Sequence, residues 1–365
     1  MLIYYLLFVL LLGSYVLLFK SGITNEKKAR IAYTVIFFLA VGLLLALRHP
    51  SMGVDLKYYD GGGYWHAYIK IAGWSWEDVF TRDLYNYERG YIIFNKILSI
   101  FSKDPQTLLV ACGLITALPT AIIIYRDSKN TLLSSVIYLG LTSFFIAFSG
   151  MRQAVAIAIT MLAYLMIKDK RWVAFVLLVL LAYTFHSSAI VFLVAYPLYH
   201  LRHTDAFKIG SFVAIPFVYI FRVPLFTVLS TFFKDNAEIE DTGALTLFLV
   251  FVVLYLFLLV FSDKENKLSC GTTNIFWVAC ICQAFGGVYN TAMRVGYYFM
   301  VYAMIAIPEV IDTNGYRRIS LDDRYKRLIK VVVFIAFVAF ALYTFAKGGE
   351  ESWYMTNPYS FFWQK

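Results

Sequence analysis

Long apolar segments separated by short polar ones run along the chain from its first residues to residue 346. Twelve of them approach the roughly 20 residues that a perpendicular helix needs to cross a bilayer. They are 2–19, 30–47, 107–125, 131–149, 151–168, 171–185, 187–201, 207–222, 243–262, 271–289, 291–311 and 328–346. The pattern predicts an all-α, polytopic membrane protein with about twelve transmembrane helices in a single domain, 1–365.

The polar segments between these spans alternate in basic content, which predicts their side of the membrane. More than half of the 32 Lys and Arg residues lie in 20–30, 126–130, 168–171, 200–208, 263–267 and 312–327. Loops rich in Lys and Arg stay in the cytoplasm. Both termini and the segment 48–106 are therefore expected to face outward. The first 19 residues lack a basic start and a cleavage site, so they are interpreted as a retained span.

The outward-facing loop 48–106 contains a short apolar segment of its own. The stretch 89–102, RGYIIFNKILSIFS, has about fourteen residues, too few to span a bilayer. We therefore expect an interfacial or re-entrant helix there. Trp65, Trp74 and Trp76 suit either the head-group region of the membrane or a surface on which sugars stack.

Composition supports a membrane protein and argues against several other classes. The chain is 61% hydrophobic and only 15% charged, whereas soluble domains average roughly 25% charged residues. The net charge of +9 does not indicate nucleic acid, because the basic residues lie between spans. Cys280 and Cys282 have no histidine or second cysteine pair nearby, so no metal site and no cofactor are expected.

Ionisable residues are almost absent inside the predicted spans. Ion-coupled carriers usually place acids or histidines near the middle of the bilayer, and here only Glu309 comes close to such a position. A transporter or a flippase of lipid-linked glycans is therefore disfavoured. The charges instead gather at span ends and in loops.

Three arginines at the outward ends of spans are candidates for binding a pyrophosphate. Arg152 lies one residue into a helix that Ser149 and Gly150 can cap. A helix N-terminus attracts phosphate, and the planar guanidinium adds two parallel donors. Arg294 has a similar setting and Arg48 ends a span. The alternative is that each arginine only extends its charge towards the membrane surface.

Three residues are candidates for the general base, and the sequence leaves the choice open. Asp55 follows Arg48 by seven residues, so its carboxylate could take a proton or hold the arginine in place. Glu88 is the competing carboxylate. His186 lies beside two serines in a turn between two spans, where a histidine could act as a base or be structural.

The ordered set of these motifs resembles the EpsG family of bacterial exopolysaccharide polymerases, which are similar to Wzy-type polymerases. The matching residues are Arg48, Gly53-x-Asp55 and Tyr59; Glu88-Arg89-Gly90-Tyr91; Ser149-Gly150-Met151-Arg152-Gln153-Ala154; Phe185-His186-Ser187-Ser188-Ala189; Arg294 with Gly296-Tyr297-Tyr298; and Asn357-Pro358-Tyr359. Each motif is short, and their order over nearly the whole chain carries the resemblance.

The resemblance implies a membrane glycosyltransferase of the GT-C-like type that joins undecaprenyl-pyrophosphate-linked repeat units. Such an enzyme would lie in the bacterial plasma membrane with its active site outward, and would be metal-independent and inverting. Its partners would be the lipid-linked oligosaccharide, membrane lipid, a flippase and chain-length regulator proteins. The implied substrate-binding residues are Arg89, Tyr58, Tyr59, Gln153 and Tyr298. A glycan ligase and a membrane O-acyltransferase, with His186 as its base, remain alternatives.

Overall fold

The structure, a computed structural model, describes residues 1–22, 25–59, 61–233, 245–288, 290–312, 322–349 and 352–364. These residues are helical apart from turns, loops and one isolated antiparallel bridge between Arg48 and Phe361. The chain divides into two compact units. Unit 1 comprises Met1–Ile190 and Val332–Lys365, and unit 2 comprises Val191–Val331.

In the described part of unit 1, the chain forms the first ten α-helices and most of the last one. The first ten are α1 Leu2–Lys20, α2 Glu26–Ala46, α3 Gly63–Ala72, α4 Trp76–Thr81, α5 Arg89–Phe101, α6 Gln106–Asp127, α7 Thr131–Gly140, α8 Thr142–Phe145, α9 Met151–Lys168 and α10 Trp172–Tyr183. Short 3₁₀ helices cover Val54–Leu56 and Ile146–Phe148, and a longer one, Ser187–Val194, leads out of the unit.

The described residues of unit 2 form eight α-helices before the last one. They are α11 Ala195–His200, α12 Asp205–Ile220, α13 Arg222–Phe233, α14 Thr246–Phe261, α15 Lys267–Gln283, α16 Asn290–Val295, α17 Tyr297–Met300 and α18 Ala303–Asp312. Helix α19, Asp323–Ala346, begins here and returns the chain to unit 1.

Several helices have the length and composition of membrane spans, which confirms the predicted membrane protein. Among the described residues, five helices qualify singly: α1, α2, α6, α9 and α19. The number rises to eight if each of three bent helix pairs counts as one span, and three shorter apolar helices accompany them. Apolar side chains remain largely exposed along α1 and α19, as expected where lipid rather than water surrounds a helix.

The spans of unit 1 pack closely because small residues line their contacts. Helices α2 and α6 meet at Gly113, where an added Cβ would lie only 2.9 Å from the backbone nitrogen of Ala46. Gly42 lies on the same contact, where an added Cβ would lie 3.2 Å from a side-chain carbon of Leu114. Lipid offers no hydrophobic drive for helices to associate, so close backbone approach and packing hold such a pair together.

The predicted span 131–149 is broken in the structure. Helices α7 and Thr142–Phe148 meet at an angle of 68°, and Leu141 between them has an extended backbone. Gly140 precedes the bend and lies against α19, where a Cβ would come within 2.7 Å of the Phe337 ring. Glycine weakens a helix, and apolar periodicity alone gives no sign of such a break.

The segment 48–106 folds as three short helices joined by turns. Helix α5 confirms the predicted helix at 89–102, and α3 and α4 pack against it around Ile71, Val79 and Ile92. Ser75 caps α4 by accepting from the Asp78 amide, and the Asp78 carboxylate accepts in return from the Ser75 amide. This reciprocal cap fixes the start of the short helix.

Unit 2 contains a buried histidine held by two polar side chains. His203 Nδ1 lies 2.7 Å from Ser262 Oγ, and its Nε2 lies 2.7 Å from Asn274 Oδ1. The Asn274 amide also donates to the carbonyls of Leu198 and Leu201. Burial lowers the pKa of His203 to about 4, below the value in an unfolded chain.

This depressed pKa predicts acid-sensitive stability. The folded protein binds the His203 proton less readily than the unfolded chain does. The contribution of neutral His203 to folding stability is therefore complete above about pH 6.5 and is lost as pH falls through 4. We expect the free energy of unfolding to decrease by up to about 3 kcal/mol over that pH interval. Thermal unfolding of the detergent-purified protein across this pH range tests it. His203→Gln should flatten the pH dependence; an unchanged slope would contradict the assignment.

Candidate active site

The C-terminal tail closes over the start of the 48–106 segment. The amide of His49 donates to the carbonyl of Ser360 at 2.8 Å, and the amide of Phe362 donates to the carbonyl of Leu47 at 2.9 Å. With the Arg48–Phe361 bridge, these bonds join two stretches about 300 residues apart in sequence.

Arg48 is fully buried and is bound by backbone rather than open to a ligand. Its guanidinium donates to the carbonyl of Leu45 at 2.6 Å and to that of Ala147 at 3.0 Å. Burial lowers its pKa to about 10, so it stays charged at neutral pH. The arginine links the end of α2 to the turn before α9. Pyrophosphate binding by Arg48 stays a prediction that this geometry does not favour.

Asp55 is placed by contacts from two other parts of unit 1. Its amide donates to the hydroxyl of Ser149 at 3.1 Å, and the indole Nε1 of Trp353 donates to its carboxylate at 3.3 Å. The expectation that Ser149 caps α9 is therefore wrong: no side chain caps that helix, and the hydroxyl holds the Asp55 loop instead. Asp55 as a whole residue is partly exposed.

Gly53 lets this loop pass directly against the turn before α9. Its φ is +111°, and an added Cβ would lie 1.9 Å from the carbonyl oxygen of Phe148. Both the backbone angle and the overlap exclude a side chain, so only glycine fits.

Gly53→Ala should therefore destabilise unit 1 by about 2–4 kcal/mol, the combined cost of strain and displaced backbone. Gly73→Ala is the matched control, because Gly73 has an ordinary φ of −86° and an added Cβ would lie 3.6 Å from the Lys70 carbonyl oxygen, an ordinary contact distance. Thermal unfolding in detergent measures both. Equal melting temperatures for the two variants would contradict the close approach.

Arg152 lies in the first turn of α9, as predicted, and aromatic rings surround its guanidinium. The guanidinium carbon is 4.4 Å from the centre of the Tyr87 ring and 6.0 Å from that of Tyr64. Its Nε lies 3.4 Å from the Tyr64 hydroxyl. The side chain is 18% exposed. Cation–π contacts of this kind hold an arginine in a fixed orientation without neutralising it.

Glu88 joins three of the sequence motifs. One carboxylate oxygen is hydrogen-bonded in an ion pair to Arg152, and the other accepts from the Ser187 amide at 2.8 Å. The backbone continues this contact, since the Tyr91 amide donates to the carbonyl of Thr184. Because both carboxylate oxygens already accept hydrogen bonds, the geometry suits Glu88 to positioning Arg152 and the 184–188 turn.

Tyr64 and Tyr87, the two tyrosines that contact Arg152, keep their protons at neutral pH. Burial raises the pKa of Tyr64 to about 12; the charge of Arg152 opposes this rise and that of Asp55 adds to it. Burial also raises the pKa of Tyr87, again with opposite contributions from Arg152 and Asp55. Both phenols therefore remain hydrogen-bond donors, and Asp55 lies close enough to act on them electrostatically.

His186 and two of the predicted substrate-binding residues have local roles in this unit. His186 Nδ1 is 2.7 Å from the Ser188 hydroxyl, and the side chain is partly buried. Arg89 donates to the carbonyls at the end of α4, those of Val79 and Arg82. Gln153 is buried within α9.

Tyr58 and Tyr59 form an aromatic group at the surface of the loop. The Tyr58 ring contacts His49, Tyr59 and Trp65 edge to face, with centroid distances between 4.8 and 5.4 Å. Tyr59 is 79% exposed. Exposed rings of this kind can stack against sugar faces.

Arg294 and Tyr298 belong to unit 2. Arg294 is half-buried in α16, and Tyr298 is fully buried in α17. Their predicted roles in binding pyrophosphate and substrate stay predictions.

Sequence reasoning missed Tyr64, Tyr87 and Trp353, which contact Arg152 and Asp55. Tyr87 precedes Glu88 directly, which was the one available signal. Within the described ranges, no three His, Cys, Asp or Glu side chains gather in a way that could hold a metal ion.

The contacts described above bring together five stretches that are distant in the sequence, at 47–55, 88–91, 149–152, 184–187 and 353–362. A family model described as the EpsG family matches residues 31–361, nearly the whole chain. The chain belongs to the EpsG family. This EpsG membership supports an exopolysaccharide polymerase, an enzyme whose general substrate is a lipid-linked oligosaccharide. Comparison with curated proteins and with solved structures gave no match.

Proposed function

We propose that this EpsG protein polymerises undecaprenyl-pyrophosphate-linked oligosaccharide repeat units on the outer face of the bacterial plasma membrane. One observation carries the proposal. A partly exposed arginine at the start of a membrane-spanning helix is fixed by Glu88, Tyr64 and Tyr87, and a second carboxylate, Asp55, acts electrostatically on the same tyrosines. A cation fixed at this position suits a lipid-linked phosphate leaving group, and the carboxylate suits a hydroxyl acceptor.

The reaction is a single displacement at the reducing-end carbon of the growing glycan. The bond from that carbon to the pyrophosphate oxygen breaks, and a bond to the acceptor hydroxyl oxygen forms. The electron pair of the broken bond leaves with the lipid pyrophosphate, and the hydroxyl proton passes to the base. One displacement inverts the configuration at that carbon.

Arg152 stabilises the leaving pyrophosphate in this proposal. Charge builds on the bridging oxygen as the bond breaks, and a guanidinium already held in place needs little reorganisation to meet it. Tyr64 keeps its proton and can donate to a phosphate oxygen. Glu88 keeps Arg152 oriented until the substrate arrives, and no metal is required for this charge balance.

Asp55 is our choice for the general base. Trp353 and the Ser149 hydroxyl hold its position, and the residue as a whole is partly exposed. Glu88 is already bonded through both oxygens, so it is assigned to positioning. His186, bonded to Ser188, is assigned to shaping the turn that contacts Glu88 through Ser187.

The surface tyrosines provide a place for the acceptor glycan. We propose that Tyr58 and Tyr59, with Trp65, stack against its sugar rings. The exposed apolar faces of the spans would accommodate the prenyl chain. We propose that the enzyme is of the GT-C-like type, with its polar chemistry in loops at one end of apolar helices, and that a flippase supplies the lipid-linked units.

The test is incubation of the purified protein with lipid-linked repeat units in buffer containing a chelator, read on a gel. A ladder of lipid-linked oligomers is expected. A glycan ligase would transfer one glycan to a different acceptor, and an O-acyltransferase would change mass without lengthening the chain. A ladder that appears only after Mg²⁺ is added would contradict the metal-independent mechanism.

Arg294 is proposed as a second pyrophosphate-binding residue. Arg294→Ala should slow chain growth by about tenfold or more, the effect of removing one charge-assisted contact to a phosphate. The ladder assay with detergent-purified variant measures this effect. The variant must have the same melting temperature as the wild type. Arg202→Ala, in a loop of the same unit, is the control, and a wild-type ladder from Arg294→Ala would exclude the role.

A further inference from the structure

A basic cleft lies at the end of α2, α6 and α9 away from Arg152. Its volume is about 720 Å³, and it is lined by Glu26, Lys27, Arg30, Tyr125, Arg126, Asp127 and Lys168. Arg48 and Arg152 lie at the other ends of α2 and α9. Since α2 has 21 residues, a length of roughly 30 Å separates the two ends. The cleft is therefore distinct from the candidate active site.

Two cations in the cleft are fixed by the protein. Arg30 donates to the carbonyls of Tyr125 and Ser128, at 2.6 and 2.9 Å, and so closes the end of α6. Lys168 is paired with Asp127, whose side chain is 1% exposed. These contacts hold both cations in place before any ligand binds, which lowers the entropic cost of binding.

Two further cations remain available to a ligand. Lys27 and Arg126 are exposed, and neither forms an ion pair with a described residue. With Arg30 and Lys168 they outnumber the two carboxylates of the cleft. The excess positive charge favours an anion, and arginine and lysine side chains suit phosphate in particular.

Asp127 itself is closed to a ligand. Its side chain is 1% exposed and its Oδ2 is buried, so its role is to hold Lys168. Three apolar helices end at the cleft, and the ends of spanning helices lie among the lipid head groups of a bilayer.

We propose that this cleft binds the head group of an anionic phospholipid, with its phosphate on Lys27 and Arg126. Phosphatidylglycerol is a phospholipid of this kind. Basic pockets between transmembrane helices are suited to such head groups. The proposal does not depend on the polymerase reaction, because it concerns the opposite end of the helices.

Binding of phosphatidylglycerol to the detergent-purified full chain, followed by native mass spectrometry, tests the proposal. Phosphatidylglycerol should bind more tightly than phosphatidylcholine. The double variant Lys27→Ala, Arg126→Ala should weaken it roughly thirtyfold, about fivefold for each basic group. Both residues are exposed, so the fold should tolerate their loss, and melting temperatures verify this.

The matched control is Lys28→Ala with Lys129→Ala. Both lysines are exposed: Lys28 directly follows Lys27, and Lys129 lies three residues after Arg126. Neither of them lines the cleft. The control should bind phosphatidylglycerol within about twofold of wild type, which a specific site predicts and general surface charge does not. Equal weakening in both double variants would overturn the proposal. Equally tight binding of glycerol 3-phosphate would overturn a lipid as the source of the phosphate.

Discussion

Replacing Arg152 with alanine should stop polymer growth, lowering the rate of chain extension by about a thousandfold. Losing one preorganised group that stabilises developing charge typically costs a factor of 10²–10³. Lipid-linked single repeat units should accumulate while the protein still inserts into the membrane. The ladder assay with purified variant measures the rate. Arg152→Lys should recover only part of it, because lysine keeps the charge but loses the planar fork.

Loss of folding must be separated from loss of chemistry in this experiment. Arg152→Ala leaves the Glu88 carboxylate, which is 19% exposed, without its cation. The double variant Glu88→Gln, Arg152→Met removes both charges and restores the packing. It should melt near the wild-type temperature and remain inactive. Arg82→Ala is the control, because it breaks only an ion pair with Asp78 in which Arg82 is largely exposed. This variant should keep full activity. A normal ladder from the double variant would remove Arg152 from the mechanism.

Asp55→Asn should lower chain extension by a factor of about 10²–10⁴, the range for loss of a general base. Asparagine has the same shape, and its amide oxygen can still accept from the Trp353 indole, so the loop should keep its position. Binding of the lipid-linked unit should therefore change little while turnover falls. Extension rates at saturating substrate measure this effect.

The comparison with the two other candidate bases makes this prediction decisive. His186→Asn and Glu88→Gln should retain measurable extension if Asp55 is the base. Trp353→Phe should move the acid limb of the pH–rate profile to higher pH, because removing a donor to a carboxylate favours its protonated form. Wild-type turnover by Asp55→Asn, with turnover lost in His186→Asn, would assign the base to the histidine.

Local sequence signals predicted the elements well and the contacts between them less well. The helix at 89–101 and the position of Arg152 in the first turn of α9 followed from apolar periodicity and a Ser-Gly boundary. The bend after Gly140 did not, since it depends on the close passage of α19. Helix propensity and periodicity contain no information about which distant helix will pack at a given glycine.

The site itself was predicted as a set of residues but not as an arrangement. The sequence singled out Glu88, Arg152 and the 185–189 turn separately. It could not indicate that one carboxylate would bridge the other two. Arg48 looked equivalent to Arg152 because both lie at span ends, yet only Arg48 is fully enclosed by backbone carbonyls. Burial is decided by tertiary packing, which local spacing does not specify.

The junction between the C-terminal tail and the Asp55 loop has a consequence for biosynthesis. Trp353, Ser360 and Phe362 fasten a stretch that is translated about 300 residues before them. A nascent chain can insert its early spans in order and still lack this closure. The Asp55 loop therefore receives its final contacts only after all of the intervening chain has been made.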